Sequence, residues 1–146
     1  MIISHTIHLE MAHRLMNYPG KCARLHGHRY ELTVEAHGPV NPSSGFVIDI
    51  ADLKAYVRAT IDTPFDHMTL LENIDPIARC LEANREEFKV PSMLQLGLFT
   101  TAWPPSVENI AIFFANRLEQ GWPFPTCTLG RVILHETRDN VAVWVP

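Results

Sequence analysis

Apolar positions recur along this chain at two periods, and the switches between them divide it into elements. In residues 1–13, Ile3, His5, Ile7, Leu9, Met11 and His13 alternate with Ser4, Thr6, His8 and Glu10, as in a strand with one face turned to a core. A turn-rich stretch, Asn17-Tyr18-Pro19-Gly20-Lys21-Cys22, leads to a second alternation that puts His26, His28, Tyr30, Leu32, Val34 and Ala36 on one face. The two predict a long hairpin ending near Gly38-Pro39. The period then lengthens. Asp49 predicts the cap of a helix with the stripe Ile50, Leu53, Val57 and Ile61, stopped at Thr63-Pro64. Asp75 and Pro76 open a second helix, with Ile77, Leu81 and Phe88 on one side and Pro91 as its close. Ser106 caps a third, turning Val107, Ile110, Ala111, Phe114 and Leu118 inward, with Gly121 and Pro123 at its end. Period two returns around Val132 to Glu136 and Val141 to Val145, joined by the turn Arg138-Asp139-Asn140.

Strands, then helices, then strands predict an α+β fold: a four-stranded antiparallel sheet with helices on one face. With 146 residues, 47% of them hydrophobic, the chain fills one core, so residues 1–146 are expected to form a single domain. Open sheet edges invite edge-to-edge assembly of copies into a closed ring. The formal charge of -4 gives no general attraction for nucleic acid or an anionic membrane surface. The start MIISHTIHLE has neither the basic residues nor the apolar run of a secretory signal, and no apolar run is long enough to span a bilayer. A cytoplasmic location is the expectation. The 3 cysteines, with no Cys-x-x-Cys pair, fit free thiols in a reducing compartment, with Cys80 and Cys127 read as packing residues.

Histidine placement adds chemistry to this frame. His26 and His28 are two residues apart on a predicted strand and reach the same side, with Gly27 leaving backbone room between them. A His-x-His pair alone is a weak signal, but His13 ends the neighbouring strand in phase with its apolar face, and the hairpin brings it opposite the pair. Three neutral imidazoles suit Zn²⁺ and leave one coordination position open, the catalytic rather than the structural pattern. His5 is roughly 27 Å further along an extended strand. His8 and His37 have the opposite parity, and all three are read as ordinary histidines. Cys22, in the loop before the pair, is open to three readings: fourth zinc ligand, buried filler, or acid/base. Asp66-His67 forms a second acid/base candidate. Glu136, in phase with Val132 and Leu134, is either a surface carboxylate or an anchor for a ligand with adjacent N–H donors. Arg14, Lys21, Arg24 and Arg29 are either solvated charge or contacts for a phosphorylated substrate.

Taken in order, these segments resemble the 6-pyruvoyltetrahydropterin synthase and 6-carboxytetrahydropterin synthase family. Leu9-Glu10-Met11-Ala12-His13-Arg14-Leu15 resembles its first zinc-histidine motif, with Leu9 and Met11 where the family has alanine. Cys22-Ala23-Arg24-Leu25-His26-Gly27-His28 resembles its Cys-x3-His-Gly-His signature, and Gly45 to Lys54 its strand-to-helix junction. Phe65-Asp66-His67, Pro105-Ser106-Val107-Glu108-Asn109 and Glu136-Thr137 complete the set. The short spacer between Cys22 and His26 looks like the bacterial 6-carboxytetrahydropterin synthase branch.

The resemblance implies a zinc-dependent lyase acting on 7,8-dihydroneopterin triphosphate. It yields 6-carboxy-5,6,7,8-tetrahydropterin, acetaldehyde and triphosphate on the route to queuosine and other 7-deazaguanines. It also implies metal ligands His13, His26 and His28; catalytic Cys22, Asp66, His67 and Glu136; and substrate contacts at Glu136, Ser106 and Glu108. The implied architecture is the tunnelling fold, in which subunit sheets join into a barrel, commonly in a homohexamer. The segment from about 74 to 104 is longer than the link most bacterial members have, and reads as an insertion. Rival readings are a 6-pyruvoyltetrahydropterin-forming or aldolase-like enzyme, a non-catalytic zinc or pterin binder, and a zinc hydrolase.

Overall fold

The first alternating stretch forms strand β1 (Ile2–His13) and the second β2 (His26–His37), paired antiparallel from Ile2↔His37 to His13↔His26. A computed structural model describes all residues from Met1 to Pro146. A 3₁₀ turn at Lys21–Ala23 lies in the connection between them. β2 also pairs antiparallel with a strand at Thr128–His135, which pairs with the last strand, at Val141–Trp144.

Two short strands that the hydrophobic pattern does not predict line up on the other side of β1: β3 (Thr69–Glu72) and β4 (Leu98–Thr101). β3 runs parallel to β1, and β4 parallel to β3. Numbering Thr128–His135 as β5 and Val141–Trp144 as β6, the sheet is six-stranded and mixed, in the order β4-β3-β1-β2-β5-β6. The expected four-stranded antiparallel sheet is therefore corrected. The reason lies in burial: adjacent Leu70 and Leu71 are both fully buried, so β3 carries no alternation to read.

Three helices of two turns or more connect the strands. In α1 (Ile50–Val57), Asp49 caps as expected, its side chain accepting from the Ala51 N–H at 2.8 Å. The expected stop at Thr63-Pro64 does not occur. The helix widens into a π segment at Arg58–Asp62 and continues through Pro64 in the short turn α2 (Thr63–Phe65). Pro64 has no N–H to give the Thr60 carbonyl four residues earlier, and that oxygen accepts instead from Arg117 Nε at 3.0 Å. α3 (Pro76–Ala83) begins at the predicted cap, Asp75, but closes at Asn84, whose Nδ2 donates to the Cys80 carbonyl at 2.7 Å. Phe88 thus lies beyond the helix and is exposed, off the stripe expected to hold it with Ile77 and Leu81. α4 (Val107–Gln120) matches its prediction, with Ser106 Oγ accepting from the Asn109 N–H.

The core lies between one sheet face and α1 and α4. Leu9, Tyr30, Leu32 and Val34 meet Leu53, Val57, Ile61, Ile110, Phe114 and Leu118, all fully buried. A smaller cluster of Leu71, Ala78 and Leu98, joined by Ile77 and Leu81, fastens α3 to β3 and β4. The long β1–β2 ladder is thereby held rigid up to the end where His13 and His26 face each other.

Candidate metal centre

Register places His13 directly opposite His26, and Met11 opposite His28. The three histidines end on one side of the sheet, with their candidate ligand atoms all within 4.8 Å of one another. Gly27 makes this approach possible: a Cβ there would lie 2.9 Å from the Met11 carbonyl oxygen, a backbone atom that cannot step aside cheaply.

Backbone carbonyls fix the imidazoles. His13 Nδ1 donates to the Pro105 carbonyl at 2.6 Å, and His26 Nδ1 donates to the Arg24 carbonyl at 2.7 Å. A carbonyl only accepts, so both Nδ1 atoms carry the proton and both Nε2 atoms present a lone pair. His13 Nε2 and His28 Nε2 are buried with no hydrogen-bond partner. Leaving such an atom unpaired costs about 1–3 kcal/mol. Burial also pushes the pKa of His13 and of His28 below the ordinary imidazole value, favouring the neutral form a metal ligand needs. This donor set fits Zn²⁺, because three converging nitrogens would satisfy the ion while the ion satisfies the orphaned atoms.

Around the triad, Glu136 lies one residue past β5 and points inward, as the parity predicted. Its Oε1 is 3.5 Å from His13 Nε2 and 3.9 Å from His28 Nε2. Tyr30 packs edge-on against both rings, with centroids 5.9 Å and 5.6 Å away, and its hydroxyl is buried without a partner. Burial first, then the nearby Glu136 and Cys22, push the Tyr30 phenol pKa up. Cys22 is a half-buried free thiol in the 3₁₀ turn, which is tied to the end of β1 by the Leu15 N–H donating to the Cys22 carbonyl at 2.8 Å.

Asp66 and His67 form a separate unit. His67 Nδ1 donates to Asp66 Oδ2 at 2.7 Å, Asp66 Oδ1 accepts from the Glu10 N–H at 2.8 Å, and the His67 N–H donates to the Glu10 carbonyl. The pair makes no hydrogen bond to Cys22 or the three histidines, although His67 and His28 line one open groove beside β1. Ser106 uses its hydroxyl as the cap of α4, and Glu108 is exposed in the first turn.

Other expectations are resolved by partners that the sequence did not reveal. Arg14 is bound to the fully buried Asp75, Nε to Oδ2 at 2.6 Å, whereas Lys21, Arg24 and Arg29 are exposed. His8 pairs with Glu31 and His37 with Glu35, and neither approaches the triad. Cys127 is buried as read, but Cys80 is exposed. The Pro105 carbonyl, Asp75 and Tyr30 are the site features missed. A backbone oxygen carries no residue signal, and Asp75 registers only as a helix cap.

The 6-pyruvoyl tetrahydropterin synthase family model matches residues 2–145. Among curated proteins, the 6-carboxy-5,6,7,8-tetrahydropterin synthase of Haemophilus influenzae is 34% identical over 80% of this chain and 81% of its own length. The human 6-pyruvoyl tetrahydrobiopterin synthase is 29% identical over 86% of this chain and 70% of its own. The structure of 6-pyruvoyl tetrahydropterin synthase from Caenorhabditis elegans superposes with a TM-score of 0.71 at 26% identity, covering 100% of this chain and 95% of that one. An uncharacterised Wolinella succinogenes protein shares the fold with a TM-score of 0.82 at 20% identity, covering 99% of this chain and 97% of that one. The near-complete match to the family model, over a sheet that ends in three converging imidazoles, shows that this chain belongs to the 6-pyruvoyl tetrahydropterin synthase family.

Proposed function

We propose that this member of a family of pterin synthases is a zinc-dependent 6-carboxy-5,6,7,8-tetrahydropterin synthase. It cleaves 7,8-dihydroneopterin triphosphate and releases acetaldehyde and triphosphate, in the pathway to queuosine and other 7-deazaguanines. The observation that carries the reading is the His13-His26-His28 triad, in which His13 Nε2 and His28 Nε2 are buried and unpartnered, with a free thiol in the adjoining turn. The 34% identity to the Haemophilus 6-carboxy enzyme supports the choice of product.

Zn²⁺ held by these nitrogens would supply Lewis acidity to the oxygens of the substrate side chain. The chain's own groups do the rest. Glu136, beside the triad and 18% exposed, accepts from the N–H donors of the pterin edge and fixes the ring. Cys22, as thiolate, takes a proton from the side-chain carbon. His67 gives its Nδ1 proton to the hydrogen bond with Asp66, so its Nε2 is the atom free to exchange protons as the side chain breaks. Ser106 and Glu108 contribute to the substrate pocket from the start of α4. The protein works as a cytoplasmic homohexamer whose sheets join through their edges into a barrel.

Incubation of the zinc-loaded protein with 7,8-dihydroneopterin triphosphate, followed by mass spectrometry, tests this. The expected products are 6-carboxytetrahydropterin and acetaldehyde. A 6-pyruvoyl product would favour the activity carried in the name of the human relative, and tight pterin binding without turnover would favour a non-catalytic binder.

A further inference from the structure

The stretch from Asp75 to Pro105 follows β3, rejoins the sheet as β4, and grips the end of β1 from both of its own ends. At the near end, one Asp75 carboxylate oxygen caps α3, accepting from the Ile77 N–H at 2.8 Å, while the other accepts from Arg14 Nε at 2.6 Å. Arg14 directly follows His13. At the far end, the Pro105 carbonyl accepts from His13 Nδ1 at 2.6 Å. Between the two ends, β4 pairs with β3, β3 pairs with β1 at His13↔Leu70, and Leu71, Ala78 and Leu98 lock α3 to these strands.

Capping needs one oxygen at a helix end and tolerates full exposure. Asp75 is 0% exposed, and a buried carboxylate is retained only with a charged, well-placed partner. Its second oxygen therefore serves something other than α3. The partner it holds is the residue next to the most buried of the three ligand histidines. His26 Nδ1 is bonded within its own loop, to Arg24, whereas the partner of His13 Nδ1 comes from this distant segment.

We infer that residues 75–105 form a brace that sets the geometry of His13, with Asp75 and Arg14 acting as positioning residues for the metal centre. The inference rests on the reading of the triad as that centre. One arm holds the imidazole through Pro105, and the other holds the adjoining backbone through Arg14 and Asp75. The role assigned to the long segment is thus to tune the affinity of the site, and it needs no contact between that segment and substrate.

Asp75→Asn separates the two duties of this residue, because asparagine caps a helix as well as aspartate but offers Arg14 no charge. Zinc affinity is measured by chelator competition on the folded full-length protein. Asp75→Asn and Arg14→Met are each expected to weaken it about tenfold at unchanged stoichiometry and far-ultraviolet circular dichroism. Arg14→Lys, which keeps the charge, and Glu82→Gln on the exposed side of α3 should stay near wild type. In the metal-free protein, the His13 Nδ1–H proton resonance should broaden in Asp75→Asn as its exchange with water accelerates. Wild-type zinc affinity with an unbroadened His13 resonance, even alongside a lowered melting temperature, would make the pair purely structural and overturn the inference. If the wild-type protein takes up no zinc, the proposed function fails, and the His13 resonance alone decides whether the brace exists.

Discussion

At the scale of single residues, the chemistry depends on which atom each side chain leaves free. His13, His26 and His28 were legible in the sequence because strand parity puts them on one face, and the structure brings their ligand atoms within 4.8 Å of one another. Their orientation was not legible: the carbonyl that fixes His13 belongs to Pro105, 92 positions away. Cys22 lies in the turn beside the triad, and its replacement tests whether it is ligand or base. Cys22→Ala is expected to keep one zinc per chain by metal analysis while turnover falls by about 10³-fold or more. Loss of zinc with the thiol would make it a ligand. A second residue-level prediction lies far from the site. Two hydrogen bonds from Arg131, assisted by His37, hold the buried Glu35 carboxyl at a pKa of about 2, against an ordinary value of 4.5. Because the folded value is the lower one, the stabilisation is complete above about pH 4.5 and fades as pH falls towards 2. Glu35→Gln should therefore flatten the acid limb of urea-unfolding midpoints across that window, with wild type keeping the slope.

At the scale of elements, the β1–β2 hairpin was readable from end to end because one face is core and the other polar, and the structure pairs it without a break. β3 was not, since adjacent Leu70 and Leu71 are both buried and show no period of two, and neither was β4, which spans only 4 residues whose burial does not alternate. The end of the first helix was misread for a local reason: a π segment absorbs Pro64, and Arg117 takes up the Thr60 carbonyl. α3 shows the opposite error, ending at Asn84 while the apolar pattern runs on to Phe88. The element that most directly carries the site is the close approach of β1 and β2 at Gly27. A Cβ there would sit 2.9 Å from the Met11 carbonyl oxygen, so the strands must part to admit it. Gly27→Ala should cost about 1–3 kcal/mol by denaturant unfolding and weaken zinc binding as well. Unchanged values of both would mean that the ladder yields without disturbing the ligands.

At the scale of the whole molecule, the α+β class was legible from the alternation of periods, while the mixed order of the sheet was not. Both sheet edges, β4 and β6, are open, and Val141, Val143 and Val145 along the β6 edge are exposed. A row of exposed valines on an edge strand favours pairing with another copy. The proposed hexamer should therefore be seen by light scattering in the wild type, and Val143→Lys should give smaller species. A wild type already monomeric would remove the barrel from the account. No helix is long and apolar enough to cross a membrane. The central claim is that pterin turnover belongs to one metal ion on three histidines. It is tested most directly by stripping the protein with a chelator and titrating Zn²⁺ back while following conversion of 7,8-dihydroneopterin triphosphate. Activity is predicted to rise linearly and level off at one zinc per chain in the wild type and to stay absent in His26→Ala. Full activity in the stripped protein, or in His26→Ala, would contradict the account.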